Sequence, residues 1–122
     1  MLAGARVLLV EDDFFTAFDL AAEISRAGGE VVGPYASVSA CLDALQTEPV
    51  AVAVLDANLA DRDVTPVALL LIEREIPLVL HTGIGMPPEL RRLHPNLPVL
   101  MKPADPQSVI VAVALELNKR HL

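Results

Sequence analysis

Short apolar runs recur along the chain, and most end on an ionisable or hydroxyl-bearing residue. Residues 6–10 lead into Glu11, Asp12 and Asp13, residues 50–55 into Asp56, residues 78–80 into His81 and Thr82, and residues 99–101 into Lys102. Runs this short and this continuous, bounded by turn signals, read as parallel strands buried on both faces. Between them the apolar spacing changes from continuous to helical. Residues 14–27 place Phe14, Phe18, Ala21, Ala22 and Ile24 on one predicted helix face, and Gly28-Gly29 stops that helix.

The same alternation continues to the end of the chain. A short second strand at residues 30–33 ends at Gly33-Pro34, and Ser37 caps a helix through Gln46 with Val38, Cys41, Leu42 and Leu45 inward. After a loop at residues 56–63, Thr65 is placed to cap, and Pro66 to occupy the first turn of, a helix through Arg74. Regularity weakens between Gly83 and Pro98, where Pro87, Pro88, Pro95 and Pro98 leave room for one short helix around residues 89–93. Asp105 caps and Pro106 begins a last helix that runs to about Lys119. Five strands alternating with helices predict right-handed crossovers and an α/β, doubly wound parallel sheet with helices on both faces.

Composition narrows the class without changing the architecture. At 122 residues one domain is expected, and a hydrophobic content of 53% supplies a continuous core. Aromatic residues make up only 3% of the chain, so that core is aliphatic, as in a covered parallel sheet. A net charge of -7 argues against a surface that binds nucleic acid or anionic lipid directly. The solitary Cys41 has no internal disulfide partner, which fits a reducing cytoplasm. The longest apolar stretch, residues 109–115, is far shorter than the roughly 20 residues that span a bilayer.

Open parallel sheets collect their chemistry at the carboxyl ends of the strands. With the first, third and fifth runs adjacent at the centre, Glu11, Asp12, Asp56 and Lys102 share one crevice. Carboxylates facing one another there repel at neutral pH unless a hard cation such as Mg²⁺ neutralises them, and a lone Lys holds an anion nearby. The pattern points to metal-assisted phosphoryl chemistry.

Four segments carry a more specific resemblance. Val-Glu-Asp-Asp at 10–13, Leu-Asp-Ala-Asn-Leu at 55–59, His-Thr-Gly at 81–83 and Lys-Pro at 102–103 stand in the order and at nearly the intervals of the receiver domain of two-component response regulators, which the whole chain resembles. The resemblance implies a flavodoxin-like strand order 2-1-3-4-5 and one receiver domain over residues 1–122 with no effector domain. It also implies a cytoplasmic phosphoacceptor signalling domain rather than an enzyme, limited to its own phosphotransfer and slow autodephosphorylation. Asp56 matches the phosphoacceptor, a carboxylate that becomes a competent nucleophile for phosphorus once a metal offsets the charge. Asp12 matches the direct Mg²⁺ ligand, Glu11 its water-mediated neighbour, and Asn58 the residue whose backbone carbonyl completes the protein's share of the shell. Thr82 matches the hydroxyl that bonds a phosphoryl oxygen. Lys102 matches the cation that pairs with it, aimed by a cis Lys-Pro bond. Asp13 is left over as a cap for the first helix. The implied partner is a sensor histidine kinase or histidine phosphotransfer protein; the downstream target is another protein, and a homodimer face is open to the Val- and Ala-rich last helix.

Two departures qualify that match. Many receivers carry an aromatic residue three positions before the Lys, where this chain has Val99, and the interval from Thr82 to Lys102 is slightly short and rich in proline. A shortened segment after Thr-Gly resembles a subgroup of stand-alone receivers named for a Phe-Ala-Thr-Gly motif, of which Leu80-His81-Thr82-Gly83 matches the second half. A phosphorylation-independent receiver-like binding module is therefore the alternative reading. A small phosphatase using Asp56 ranks last, because Asp56-Ala57-Asn58 lacks a second acid two residues on to act as general acid. His81 reads as a packed or hydrogen-bonded residue, and Asp61 and Asp63 as helix-start charge in a solvated loop. His94 and His121 lack ligand-spaced partners, so no zinc site is expected.

Overall fold

A computed structural model describes residues 1–119; His121 lies outside the described residues. Five parallel strands, β1 (Arg6–Val10), β2 (Glu30–Tyr35), β3 (Val52–Asp56), β4 (Leu78–Thr82) and β5 (Val99–Met101), form one sheet in the order β2-β1-β3-β4-β5. Between and after them lie α1 (Phe14–Arg26), α2 (Val38–Ala44), α3 (Thr65–Glu73), α4 (Pro88–Leu93) and α5 (Pro106–Lys119). β1, β3 and β4 pair on both sides, which is why their sequences are uninterrupted apolar runs.

Successive strand residues point to opposite faces, so each run divides its side chains between two cores. Leu8, Val10, Ala53, Leu55 and Leu80 pack with Val38 and Cys41 of α2, Val67, Ala68 and Leu71 of α3 and Leu90 of α4. Val7, Leu9, Val52, Val54 and Val79 pack with Leu20 and Ile24 of α1 and Val109, Ile110 and Val113 of α5. A helical layer covers each face of the sheet, and its carboxyl edge carries the polar residues. Among the described residues no helix is long and apolar enough to cross a membrane.

Several boundaries and faces differ from the sequence expectation. β5 is an edge strand beyond β4, not a neighbour of β3, so Lys102 reaches the acidic turn past Thr82, whose carbonyl accepts from the Lys102 amide at 2.8 Å. The buried face of α1 is Ala17, Leu20 and Ile24. Phe14 and Phe18, expected inward, are 72% and 65% exposed and stack on each other in solvent. β2 continues through Gly33-Pro34 to Tyr35, with an irregular step between the Leu8–Val32 and Val10–Tyr35 pairings. Proline is tolerated there because β2 is an edge strand. Gly33 is required by φ +113° and by the Leu9 carbonyl oxygen, which would lie 2.7 Å from an added Cβ.

The caps match the sequence expectation except at α3. Ser37 accepts from the Ala40 amide, and Asp105 accepts from the Ser108 amide and hydroxyl, both at 2.9 Å. Thr65 is already helical and caps nothing; the Asp63 carboxylate accepts from the Thr65 amide at 2.9 Å instead. Asp63, two residues before the first helical amide, can fold back on it, whereas the Thr65 hydroxyl is buried without a partner. α4 is the short helix expected from the proline spacing.

Candidate functional site

Parallel strands end at one edge, so β1, β3 and β4 and the turn after β5 deliver their terminal residues to one place. Glu11 is 3% exposed and Asp56 7% exposed, while Asp12 faces solvent. One carboxylate oxygen from each of these three residues lies within 4.8 Å of the others. The Lys102 ammonium sits between two of them, 3.0 Å from Glu11 Oε1 and 3.3 Å from Asp56 Oδ2. Only the Asp56 contact has hydrogen-bonding geometry; the one to Glu11 is an ion pair.

Backbone groups fix the remaining carboxylate oxygens. The Asp13 amide donates to Glu11 Oε2 at 3.1 Å, and the Asn58 amide donates to Asp56 Oδ1 at 3.3 Å. Asp13 itself turns away from the cluster. Its Oδ2 accepts from the Thr16 amide at 2.9 Å and the Thr16 hydroxyl at 2.6 Å, which caps α1 and lowers the Asp13 pKa. Thr82 is fully buried, and its hydroxyl donates to the Gly85 carbonyl at 3.1 Å while accepting from the Ile84 amide at 3.2 Å. The Lys102-Pro103 peptide is cis.

The electrostatics follow from that crowding. Burial first, and the Glu11 carboxylate second, raise the Asp56 carboxyl above the ordinary aspartate value, with Lys102 opposing. Asp12 is raised by burial and then by Asp56. Burial alone would lower Lys102, but Glu11 and then Asp56 outweigh it and hold the ammonium above the ordinary lysine value. One cation thus faces three carboxylates. Clustered oxygens with excess negative charge and an open side at Asp12 match the hard-oxygen, partly hydrated shell that Mg²⁺ prefers. The donor set fits that ion.

No protein-family model and no curated protein matches the sequence. Solved structures do match in shape. The chain is similar to a response regulator receiver protein from Sinorhizobium medicae WSM419 at TM-score 0.83 and 24% identity, over 98% of this chain and 99% of that one. A CheY-like response regulator receiver domain protein from Methanospirillum hungatei JF-1 aligns at TM-score 0.84 and 20% identity, over 97% of each chain. This chain has the receiver-domain fold. SdrG from Sphingomonas melonis Fr1 aligns at TM-score 0.78 and 29% identity, over 97% of this chain and 99% of that one.

Within this receiver fold, the structure brings Glu11, Asp12, Asp56 and Lys102 together and sets Thr82 at the end of the neighbouring strand. Two residues carry more than the sequence reading gave them. Asp61, read as loop charge, accepts from the amides of Val38 at 2.9 Å and Ser39 at 3.0 Å, tying the loop after Asp56 to the start of α2. Its partners lie 22 and 23 residues away, so no local spacing rule could have found them. His81 is packed, as expected, but neither ring nitrogen has a hydrogen-bond partner. Val99, where many receivers carry an aromatic, is half-buried against the α2–α4 core.

Proposed function

We propose that the protein is a cytoplasmic, phosphorylation-dependent signalling switch that accepts a phosphoryl group on Asp56 from a histidine kinase or histidine phosphotransfer partner. The observation that supports it is the meeting of Glu11, Asp12 and Asp56 oxygens within 4.8 Å, with the Lys102 ammonium 3.3 Å from the acceptor carboxylate. An Asp56 oxygen attacks phosphorus, the phosphorus–nitrogen bond of the partner's phosphohistidine breaks, and the leaving imidazole takes up a proton. Glu11, Asp12, Asp56 and the Asn58 carbonyl would hold Mg²⁺, which would supply charge neutralisation between nucleophile and phosphoryl group.

This chain's own residues then respond to the new charge. Lys102 transfers from the carboxylates to a phosphoryl oxygen, and the Thr82 hydroxyl leaves the Gly85 carbonyl to donate to another. Releasing that carbonyl loosens the turn from Gly83 to Gly85, where Ile84 is 78% exposed, and so alters the surface offered to a target protein. Val99 in the usual aromatic position favours one second reading, a binding module that works without phosphate.

Incubation with Mg²⁺ and a small phosphodonor, followed by intact mass spectrometry, separates the two. One added phosphoryl group that requires Mg²⁺ and disappears in Asp56→Asn is expected. An unlabelled wild-type protein supports the binding module.

A further inference from the structure

The loop after Asp56 is fastened from outside itself. Its tip, residues 60–62, is exposed, whereas Ala57, Leu59 and Val64 at its two ends are buried. The tip is tied instead to the start of α2. The Asp61 carboxylate places one oxygen on the Val38 amide at 2.9 Å and the other on the Ser39 amide at 3.0 Å, and the Ala60 amide donates to the Ala36 carbonyl at 3.4 Å. Val38 and Ser39 carry two of the amides that a helix start leaves without internal partners, and Ser37 accepts from a third, that of Ala40, at 3.1 Å. The two amides hold the Asp61 carboxyl below the ordinary aspartate value, so it is ionised and accepting at neutral pH.

From that anchor the hydrogen bonds lead back to the acidic site. Arg62, the residue after Asp61, accepts through its carbonyl from the Leu59 amide at 3.1 Å. A peptide group is planar, so whatever fixes the Leu59 N–H also fixes the Asn58 C=O in the same plane. The preceding peptide supplies the Asn58 amide, which donates to Asp56 Oδ1 at 3.3 Å, and Asn58 pairs with Asp63 across the turn. We infer that Asp61 is a positioning residue for metal binding: by fastening the turn to α2 it sets the Asn58 carbonyl and the Asp56 carboxylate for Mg²⁺. Asp61 stands outside the Glu11, Asp12 and Asp56 cluster and acts through Asn58. Outer groups that hold a ligand in place are part of what a metal site requires. The inference rests on Mg²⁺ binding at that cluster, and not on phosphoryl acceptance.

The test therefore needs no phosphodonor. Protein labelled with ¹⁵N is titrated with Mg²⁺, and the backbone amides around Asp56 and Asn58 are followed by NMR, with the same spectra reporting that each variant is folded. Asp61→Ala is expected to weaken Mg²⁺ binding on the order of tenfold, as loss of an outer partner of a metal ligand does. Asp61→Asn removes the same charge but keeps one oxygen to accept from an α2 amide, so its loss is expected to be smaller. Ser37→Ala removes a cap of α2 without touching the turn, and should leave Mg²⁺ affinity unchanged. A loss in Ser37→Ala as large as that in Asp61→Ala would reduce Asp61 to ordinary helix capping, and equal losses in Asp61→Ala and Asp61→Asn would reduce it to distant charge. Either result overturns the inference, as does wild-type affinity in Asp61→Ala, while Mg²⁺ binding by the wild type still stands. A wild-type protein that does not bind Mg²⁺ overturns the metal site itself and the inference with it.

Discussion

Replacing the proposed phosphoacceptor with its neutral isostere should stabilise the metal-free protein. Asp56→Asn keeps the side-chain shape and the oxygen that accepts from the Asn58 amide, but removes one negative charge from the cluster. At an effective dielectric of about 20, two unit charges 4.8 Å apart interact by about 3.5 kcal/mol, and two charges 3.3 Å apart by about 5 kcal/mol. Asp56 repels both Glu11 and Asp12 and attracts only Lys102, so loss of its charge relieves about 2 kcal/mol before screening. Asp12 faces solvent, which reduces its share, while the burial cost of the Asp56 charge adds to the gain. A net stabilisation of about 1–2 kcal/mol is expected in EDTA, raising Tm by roughly 3–8 °C for a chain of this size. Saturating Mg²⁺ should then stabilise wild type and leave Asp56→Asn nearly unchanged. Urea and thermal unfolding with EDTA or Mg²⁺ measure both. The reasoning fails if Asp56→Asn is less stable than wild type by more than about 1 kcal/mol in EDTA, or if Mg²⁺ stabilises the two proteins equally.

Two further expectations come from the same structure. Because Asp12 and Asp56 hold protons more tightly folded than unfolded, the metal-free native state binds the extra protons just above the ordinary value of 3.8, and its stability falls as pH rises through the raised values. Asp13, Asp61, Asp63 and Asp105 are lowered and act oppositely, contributing stability above 3.8 that is lost as pH falls through their folded values. The stability gap between an Asp12→Asn, Asp56→Asn double variant and wild type should therefore widen from about pH 4 to about pH 7 in EDTA; a constant gap contradicts the charge crowding. Cys41 is fully buried in the α2–α3 layer and its thiol is pushed up to about 12, so iodoacetamide at about pH 8 should modify it only after unfolding. Modification of the native protein at the unfolded rate would refute that placement.

The strands and the convergence at their carboxyl ends were legible because a doubly paired parallel strand must be apolar on both faces, leaving polar residues only at its ends. The orientation of α1 was not legible. Phe14, Phe15 and Phe18 form one apolar stripe and Ala17, Leu20 and Ile24 another, and a 3.6-residue period cannot choose between them. The layer opposite decides: Leu2, Val7, Leu9 and Val109 receive Leu20 and Ile24, and the rings are left outside. At α3 two neighbouring residues could cap, and side-chain reach favoured Asp63 over Thr65. The central position expected for β5 also failed, because the crevice needs only the reach of Lys102, not adjacency of its strand to β3.

Site-specific trapping of the phosphoryl group tests the central claim most directly. After incubation with Mg²⁺ and a small phosphodonor, borohydride reduces an aspartyl phosphate to homoserine, and peptide mass spectrometry locates the change. Homoserine at position 56, in wild type and in neither Asp56→Asn nor an EDTA control, is the predicted result. Homoserine at Asp12 or Asp13 instead, or none at position 56 in wild-type protein with Mg²⁺ present, would contradict the account.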